Sequence, residues 1–347
     1  MKPIILILTL IIFSCTSEKR ATSEEFNFQF EGVTLNGIIN YPKNQTPKGL
    51  VLIIHGSGTT NAVADNWHAD IRNTINNAGY TTFMWDKMGC GKSGGSFNYN
   101  QSVYNSSDEV ITAINTLKET TISGSERIGL WGISRAGWIN PIVINKYKNI
   151  KFWISVSGVN DKENFDYLFK NNLEIAGIPK DSIALLSKEL KESVRLSHSG
   201  ATYETYLEAT QNLRKNKFFY RFNNHRKTTA EGYYAYQEKL MKETIDSVTG
   251  LQVYVKDFDR ILSKVDCPVL AIFGEKDKHV DWHKTKALYE NDIKPNTNLT
   301  IKTYPETNHN LFKCHTGGFY EFEDTNISYE RPKGYLEFIK KWLQDLE

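Results

Sequence analysis

Short apolar runs alternate along this chain with stretches whose apolar residues recur at helical spacing. Phe26-Asn27-Phe28-Gln29-Phe30 alternates with a period of two, and Val33 to Pro42 follows after Gly32. Together they predict an antiparallel hairpin. Gly49-Leu50-Val51-Leu52-Ile53-Ile54-His55 is continuously apolar between turn residues, the pattern of a parallel strand buried on both faces. A helix is predicted over about 66–78, a strand over Thr81–Asp86, and a helix over about 104–120. Between that strand and helix lies a loop carrying Gly89, Gly91, Gly94 and Gly95. Next come the run Arg127–Trp131, another helix, and the run Phe152–Ser157. Strands alternating with helices predict an α/β fold, a mostly parallel sheet flanked by helices on both faces.

Between about 160 and 262 the apolar runs stop. Ile183, Leu186, Leu190 and Val194 share one helical face, as do Tyr203, Tyr206, Leu207 and Thr210. The α/β pattern resumes at Cys267–Phe273 and Leu299–Tyr304, and a last helix over about 333–345 carries Leu336, Ile339, Trp342 and Leu343 on one side. The expected division is a core at 26–160 and 263–347 interrupted by an inserted helical lid at 161–262.

Chemistry gathers at the strand ends. Gly132-Ile133-Ser134-Arg135-Ala136-Gly137 follows a strand and precedes a helix, the setting of a nucleophile elbow that presents a serine on a sharp bend. The usual pattern is G-x-S-x-G, and Ala136 stands in its last position. An ordinary strand-to-helix loop is the alternative. An elbow serine predicts an acid and then a histidine further along the chain. Asp277 follows the strand ending at Phe273, and His309 follows the strand ending at Tyr304. His309 would take the Ser134 proton and Asp277 would orient the imidazole, so activity should fall as His309 protonates. Singly, a capping aspartate and a surface or core histidine are the ordinary readings; three fitting residues at three strand ends argue against coincidence. His55-Gly56-Ser57-Gly58 ends another strand, and the backbone N–H groups of Ser57 and Arg135 are the expected oxyanion hole, with His55 propping the loop. Arg135 and Trp138 are candidates for substrate contact. Arg135 would either orient a substrate carboxylate or pair with an acidic group to hold the elbow.

A length of 347 residues with 40% hydrophobic content suffices for a large core, and a net charge of +2 argues against nucleic acid as the main partner. Aromatics at 12% suit a lined pocket or a large core equally. Lys2, the apolar run Ile4–Phe13 broken only by Thr9, and Ser14-Cys15 form a processing segment. The run falls well short of the roughly 20 residues that span a bilayer. Three cysteines remain beyond Cys15, namely Cys90, Cys267 and Cys314, so no disulfide framework is implied, although Cys90 and Cys314 lie near motif loops. No metal-ligand spacing occurs among Cys and His, and no cofactor is implied.

The ordered set His55–Gly58, Asp86-Lys87-Met88-Gly89-Cys90-Gly91-Lys92-Ser93, Gly132–Gly137, Gly274–Asp277 and Asn308-His309 resembles the motifs of the α/β-hydrolase superfamily. Within it the chain is similar to bacterial esterases and serine-aminopeptidase-like hydrolases with a helical lid. The resemblance covers roughly 30–160 and 263–347 and implies a triad of Ser134, His309 and Asp277, with Asp86 shaping a structural turn. Ala136 for glycine, and Met88 where many members carry arginine, are departures. The start resembles a bacterial lipoprotein signal, implying residues 1–15 as signal peptide, lipidation at Cys15, a tether at 16–25 and anchoring in the cell envelope, on the periplasmic or outer-surface face. A secreted protein is the alternative.

The expected activity is hydrolysis of a carboxylic ester in a small molecule through an acyl-enzyme on Ser134. Peptide, amide or thioester cleavage on the same triad is the runner-up, and a non-catalytic envelope binding lipoprotein the rival. In the lid, Arg214, Lys215, Lys217, Arg221, Arg226 and Lys227 interleave with Phe218, Phe219, Tyr220 and Phe222. A solvated face over packed aromatics is the ordinary reading, and attraction of an anionic substrate or anionic lipid the sharper one.

Overall fold

The structure, a computed structural model, describes residues 22–346 apart from 100, 163, 223–228, 243, 245–252 and 294–296. Its strands are β1 (Ser23–Phe30), β2 (Val33–Asn40), β3 (Leu50–Ile54), β4 (Thr81–Trp85), β5 (Ile128–Ile133), β6 (Ile150–Val156), β7 (Val269–Gly274) and β8 (Leu299–Tyr304). The helices are α1 (Ala69–Asn77), α2 (Val103–Glu119), α3 (Ala136–Lys146), α4 (Phe165–Ile175), α5 (Lys180–His198), α6 (Tyr203–Ala209), α7 (Lys217–Phe222), α8 (Ala230–Leu240), α9 (Phe258–Leu262), α10 (Trp282–Asp292), α11 (Glu321–Asp324) and α12 (Tyr335–Gln344).

The strands form one sheet in the order β1-β2-β4-β3-β5-β6-β7-β8. The β1–β2 hairpin and the β2–β4 pair are antiparallel, and every other pair is parallel. This is the α/β-hydrolase architecture that the sequence predicts. Every residue of β3, β4, β5 and β7 is buried, because helices cover both faces, and that is why those strands read as unbroken apolar runs. On one face, Leu52 and Leu130 pack under Ile114 of α2 and Ile142 of α3. On the other, Val51 and Ile53 pack under Ile75 of α1 and Ile339 of α12. The edge strand β8 is only partly buried.

β1 begins at Ser23, inside the stretch expected to be a tether. Ser23, Glu24 and Glu25 pair with Asn40, Ile39 and Ile38 through the backbone, and such pairing needs no apolar side chain. Cys15 and the signal segment lie outside the described residues. Between β6 and β7 the described chain runs through α4 to α9 without a strand. Phe169, Leu173, Ile183, Leu186 and Phe219 form an apolar cluster of their own there, distinct from the two clusters on the sheet.

The parallel strands deliver their carboxyl ends to one edge of the sheet. β3 leads to Ser57, β4 to Lys87, β5 to Ser134, β7 to Asp277 and β8 to His309. The winding reverses between β3 and β5, where open sheets place their ligands.

Candidate active site

Ser134 sits at φ +56°, the left-handed conformation that a non-glycine residue seldom adopts. Two backbone bonds hold it there: its N–H donates to the Val156 carbonyl at 3.0 Å, and its carbonyl accepts the Gly137 N–H at 2.7 Å. The turn needs bare backbone nearby. A side chain at Gly132 would stand 2.5 Å from the Ala136 methyl, and one at Gly137 would stand 2.8 Å from the Val159 nitrogen. Ala136 itself fits, fully buried, because Gly132 leaves room for its methyl.

The loops after β7 and β8 meet at a hydrogen bond. Nδ1 of His309 lies 2.7 Å from Oδ2 of Asp277, and both side chains are buried. The other carboxylate oxygen, Oδ1, accepts the N–H groups of His279 at 2.8 Å and Val280 at 3.0 Å. Burial alone would raise the Asp277 carboxyl; the His309 imidazole outweighs it, with His279 and the Val280 N–H assisting, and holds the group below the usual carboxylate range. Ser157 Oγ donates to the His309 carbonyl at 2.6 Å, which fixes the backbone under the ring. Gly274 permits the approach of the two loops, since a Cβ there would lie 2.4 Å from the Thr307 and Asn308 carbonyl oxygens.

Ser134 and His309 line one cavity of about 1770 Å³. Among the described residues Ser134 Oγ makes no hydrogen bond, and catalytic hydrogen bonds often tighten only when substrate is bound. Ser57 lines the same cavity, and the neighbouring Gly56 backbone passes so close that a Cβ on it would lie 3.5 Å from Ser134 Cβ. The N–H groups of Ser57 and Arg135 donate to no acceptor among the described residues. His55 is structural, with Nε2 on the Trp85 carbonyl and its ring stacked on Trp67.

The Arg135 guanidinium turns toward the start of α2. It donates to Ser106 Oγ at 3.0 Å and to the Gln101 carbonyl at 2.5 Å. Among the described residues it bonds no acidic side chain directly, so the elbow is held through Ser106 and the Gln101 carbonyl and not by an ion pair. Trp138 forms part of the cavity wall, with its indole N–H on the Asn160 carbonyl. Asp86 accepts from Val63 N–H, Lys92 N–H and Asn36 Nδ2, which makes it the hub of a turn. Cys90, Cys267 and Cys314 are free and buried, so Cys90 and Cys314 are not bridged. In the basic stretch, Arg221 pairs with Glu323 and Asp324 and lies 3.6 Å over the Tyr320 ring, while Arg226 and Lys227 fall outside the described residues.

Residues 45–313 match the family model described as serine aminopeptidase, S33. The chain belongs to this family. No curated protein matches the sequence. Among solved structures, the fold is similar to the Pyrococcus furiosus esterase Pf2001, at 14% identity and TM-score 0.52 over 93% of this chain and 91% of that one. It is also similar to Est1E from Butyrivibrio proteoclasticus with ferulic acid bound, at 17% identity and TM-score 0.51 over 92% and 96%. A third is a proline iminopeptidase from Mycobacterium smegmatis, at 16% identity and TM-score 0.52 over 93% and 98%. At these identities the likeness is one of fold, that of a hydrolase family.

Two contacts at this candidate site were not assigned from the sequence. His279 stacks on His309 with ring centroids 4.8 Å apart, and on its other side it meets Phe319 at 4.7 Å. Lys87 reaches back from the loop after β4 to Gly56 and Gly58. Only the meeting of loops from separate strands reveals either contact.

Proposed function

We propose that the protein is a serine hydrolase that cleaves a carboxylic ester through an acyl-enzyme on Ser134. The observation that carries this reading is the buried His309–Asp277 bond beside a left-handed elbow serine on a shared cavity. With its Nδ1–H on Asp277, His309 keeps Nε2 free to take the Ser134 proton as Oγ attacks the carbonyl carbon. The Ser57 and Arg135 N–H groups would receive the developing oxyanion. His309 then returns the proton to the leaving alcohol, and water attacking the acyl-enzyme by the same route releases the acid.

Amide or peptide cleavage is the second reading, favoured by the family's description and by the proline iminopeptidase of like fold. An aminopeptidase must hold a substrate ammonium. Among the described residues the carboxylates on the cavity wall are Asp65, which is exposed, and Asp70, which is bonded to Arg331. Lys87, Arg135 and Arg331 also line the wall and repel such a group, so the cavity's charge favours an ester.

A panel of p-nitrophenyl esters and aminoacyl anilides, run on wild type and Ser134→Ala, tests both readings. The expected result is ester turnover that Ser134→Ala reduces at least ~10³-fold, with anilides poor substrates. Equal background rates for the two proteins on every substrate would sink the hydrolase reading.

We also propose that Cys15 carries the lipid that tethers the enzyme to a bacterial envelope membrane, on the strength of Lys2, the run Ile4–Phe13 and Ser14-Cys15. Metabolic labelling with radioactive palmitate should mark wild type and not Cys15→Ser. An unlabelled wild type found only in the soluble fraction would contradict the anchor.

A further inference from the structure

Lys87 leaves the turn organised by Asp86 and points its ammonium under the loop after β3. Nζ lies 2.6 Å from the Gly56 carbonyl oxygen and 2.6 Å from that of Gly58. The Lys87 backbone N–H also donates to the Thr60 carbonyl, at 3.3 Å, so this residue engages the loop at three points. Gly58 adopts φ +84°, a conformation glycine takes at no steric cost, and its carbonyl and that of Gly56 converge on one cation.

The consequence follows from peptide geometry. In a planar trans peptide the C=O of one residue and the N–H of the next point in opposite directions, and no cis peptide occurs among the described residues. Holding the Gly56 carbonyl on Lys87 therefore turns the Ser57 N–H the other way. That N–H donates to no acceptor among the described residues, and Ser57 lines the cavity with Ser134. We propose that Lys87 is a positioning residue that clamps the Gly56–Ser57 peptide so that the Ser57 N–H faces the oxyanion, and that losing the Lys87 proton loosens the clamp. This rests on the reading of the site as a serine hydrolase with Ser57 in its oxyanion hole.

The surroundings make the clamp sensitive to pH. Burial, and then the Arg135 guanidinium, bring the Lys87 ammonium down to about 8, while Glu109 on α2 and Cys90 on its own loop act in the opposite sense. His55, after β3, and the buried Asp86 are further titratable neighbours, and burial first, then Lys87, keeps His55 neutral by pushing it to about 3. Arg135 and Glu109 are joined through Gln101, whose carbonyl accepts Arg135 and whose Nε2 donates to Glu109 at 2.9 Å. The ammonium supplies charge-assisted bonds below its pKa, and the neutral amine above it supplies weaker ones.

Steady-state kinetics of wild type, Lys87→Met and Lys87→Arg on one p-nitrophenyl ester, from pH 6 to 10, tests this. Removing an oxyanion donor outright costs ~10²–10³-fold in kcat, so misaiming one should cost roughly 10- to 100-fold, with KM within about twofold. Inhibition by a boronic acid, whose tetrahedral adduct on Ser134 carries the negative charge, should weaken in parallel. Wild-type kcat should fall as pH rises past about 8, Lys87→Met should lack that limb, and Lys87→Arg should recover rate and move the limb upward. A Lys87→Met enzyme that keeps both the wild-type kcat and the alkaline limb overturns the clamp. If the variants fail to fold, wild type alone decides: a kcat flat to pH 10, with circular dichroism unchanged, overturns it equally. Equal rates for wild type and Ser134→Ala would instead remove the hydrolase reading, and the clamp with it, so the two failures are told apart.

Discussion

Ala136 is where this elbow departs from the common pattern, and the compensation lies four residues earlier. Gly132 has no Cβ, and one built there would strike the Ala136 methyl at 2.5 Å and Asn140 Nδ2 at 2.6 Å. Gly132→Ala should therefore cost roughly 1–3 kcal/mol of stability and slow turnover, since neither neighbour can retreat from a packed helix. The double variant Gly132→Ala with Ala136→Gly should recover part of both losses. Thermal unfolding and ester turnover check this, and a Gly132→Ala protein as stable and active as wild type would contradict the compensation. The sequence makes Ser134, Asp277 and His309 legible because strand–turn spacing and chain order constrain each of them. It leaves Lys87 and His279 silent, because their contacts cross between loops that are far apart in the chain.

Among the elements, legibility follows burial. β3, β5 and β7 are covered on both faces and read as continuous apolar runs, so the motif loops after them could be placed at strand ends. β1 reaches back to Ser23 through residues whose exposed side chains carry no pattern. The helical segment between β6 and β7 is harder to read. Phe219 and Phe218 pack on Phe169, and Phe222 on Phe165 and Phe319, pairings that join α7 to α4 and to the chain before α11. Helical spacing predicts the stripe and says nothing of its partner. The same holds for charge: Arg221 reads as part of a basic run, yet it is bound to Glu323 and Asp324, a hundred residues away. That pairing supports the solvated-face reading at this position.

At the level of the whole molecule, burial of histidine sets a response to acid. Burial, with Lys87 next, pushes His55 to about 3, and burial also pushes the partly exposed His68 and His279 to about 3. In the unfolded chain each returns to its ordinary range. The unfolded state then binds more protons below pH 6.5, so stability is fully present above that value and falls as pH drops toward about 3. Each histidine held neutral contributes up to ~1.4 kcal/mol per pH unit, less for His68 and His279, which face the cavity. Asp277, held below the usual carboxylate range, adds to the loss at the acid end. The melting temperature should decline steadily from pH 7 to 4.5, and a constant value across that range would contradict this account.

Ser57 and Ser134 both leave the sheet from the paired strands β3 and β5, where Ile54 lies opposite Gly132. Their separation is thus a property of interstrand hydrogen bonding, whereas much of the cavity wall, Phe165, Leu168, Phe222 and Tyr236 among it, comes from the excursion between β6 and β7. The candidate catalytic serine and much of the cavity wall are consequently built on separate stretches of chain. Under the proposed hydrolase reading, substitutions at Phe165, Leu168, Phe222 or Tyr236 should change which esters are turned over while leaving the spacing of Ser57 and Ser134 as the sheet sets it.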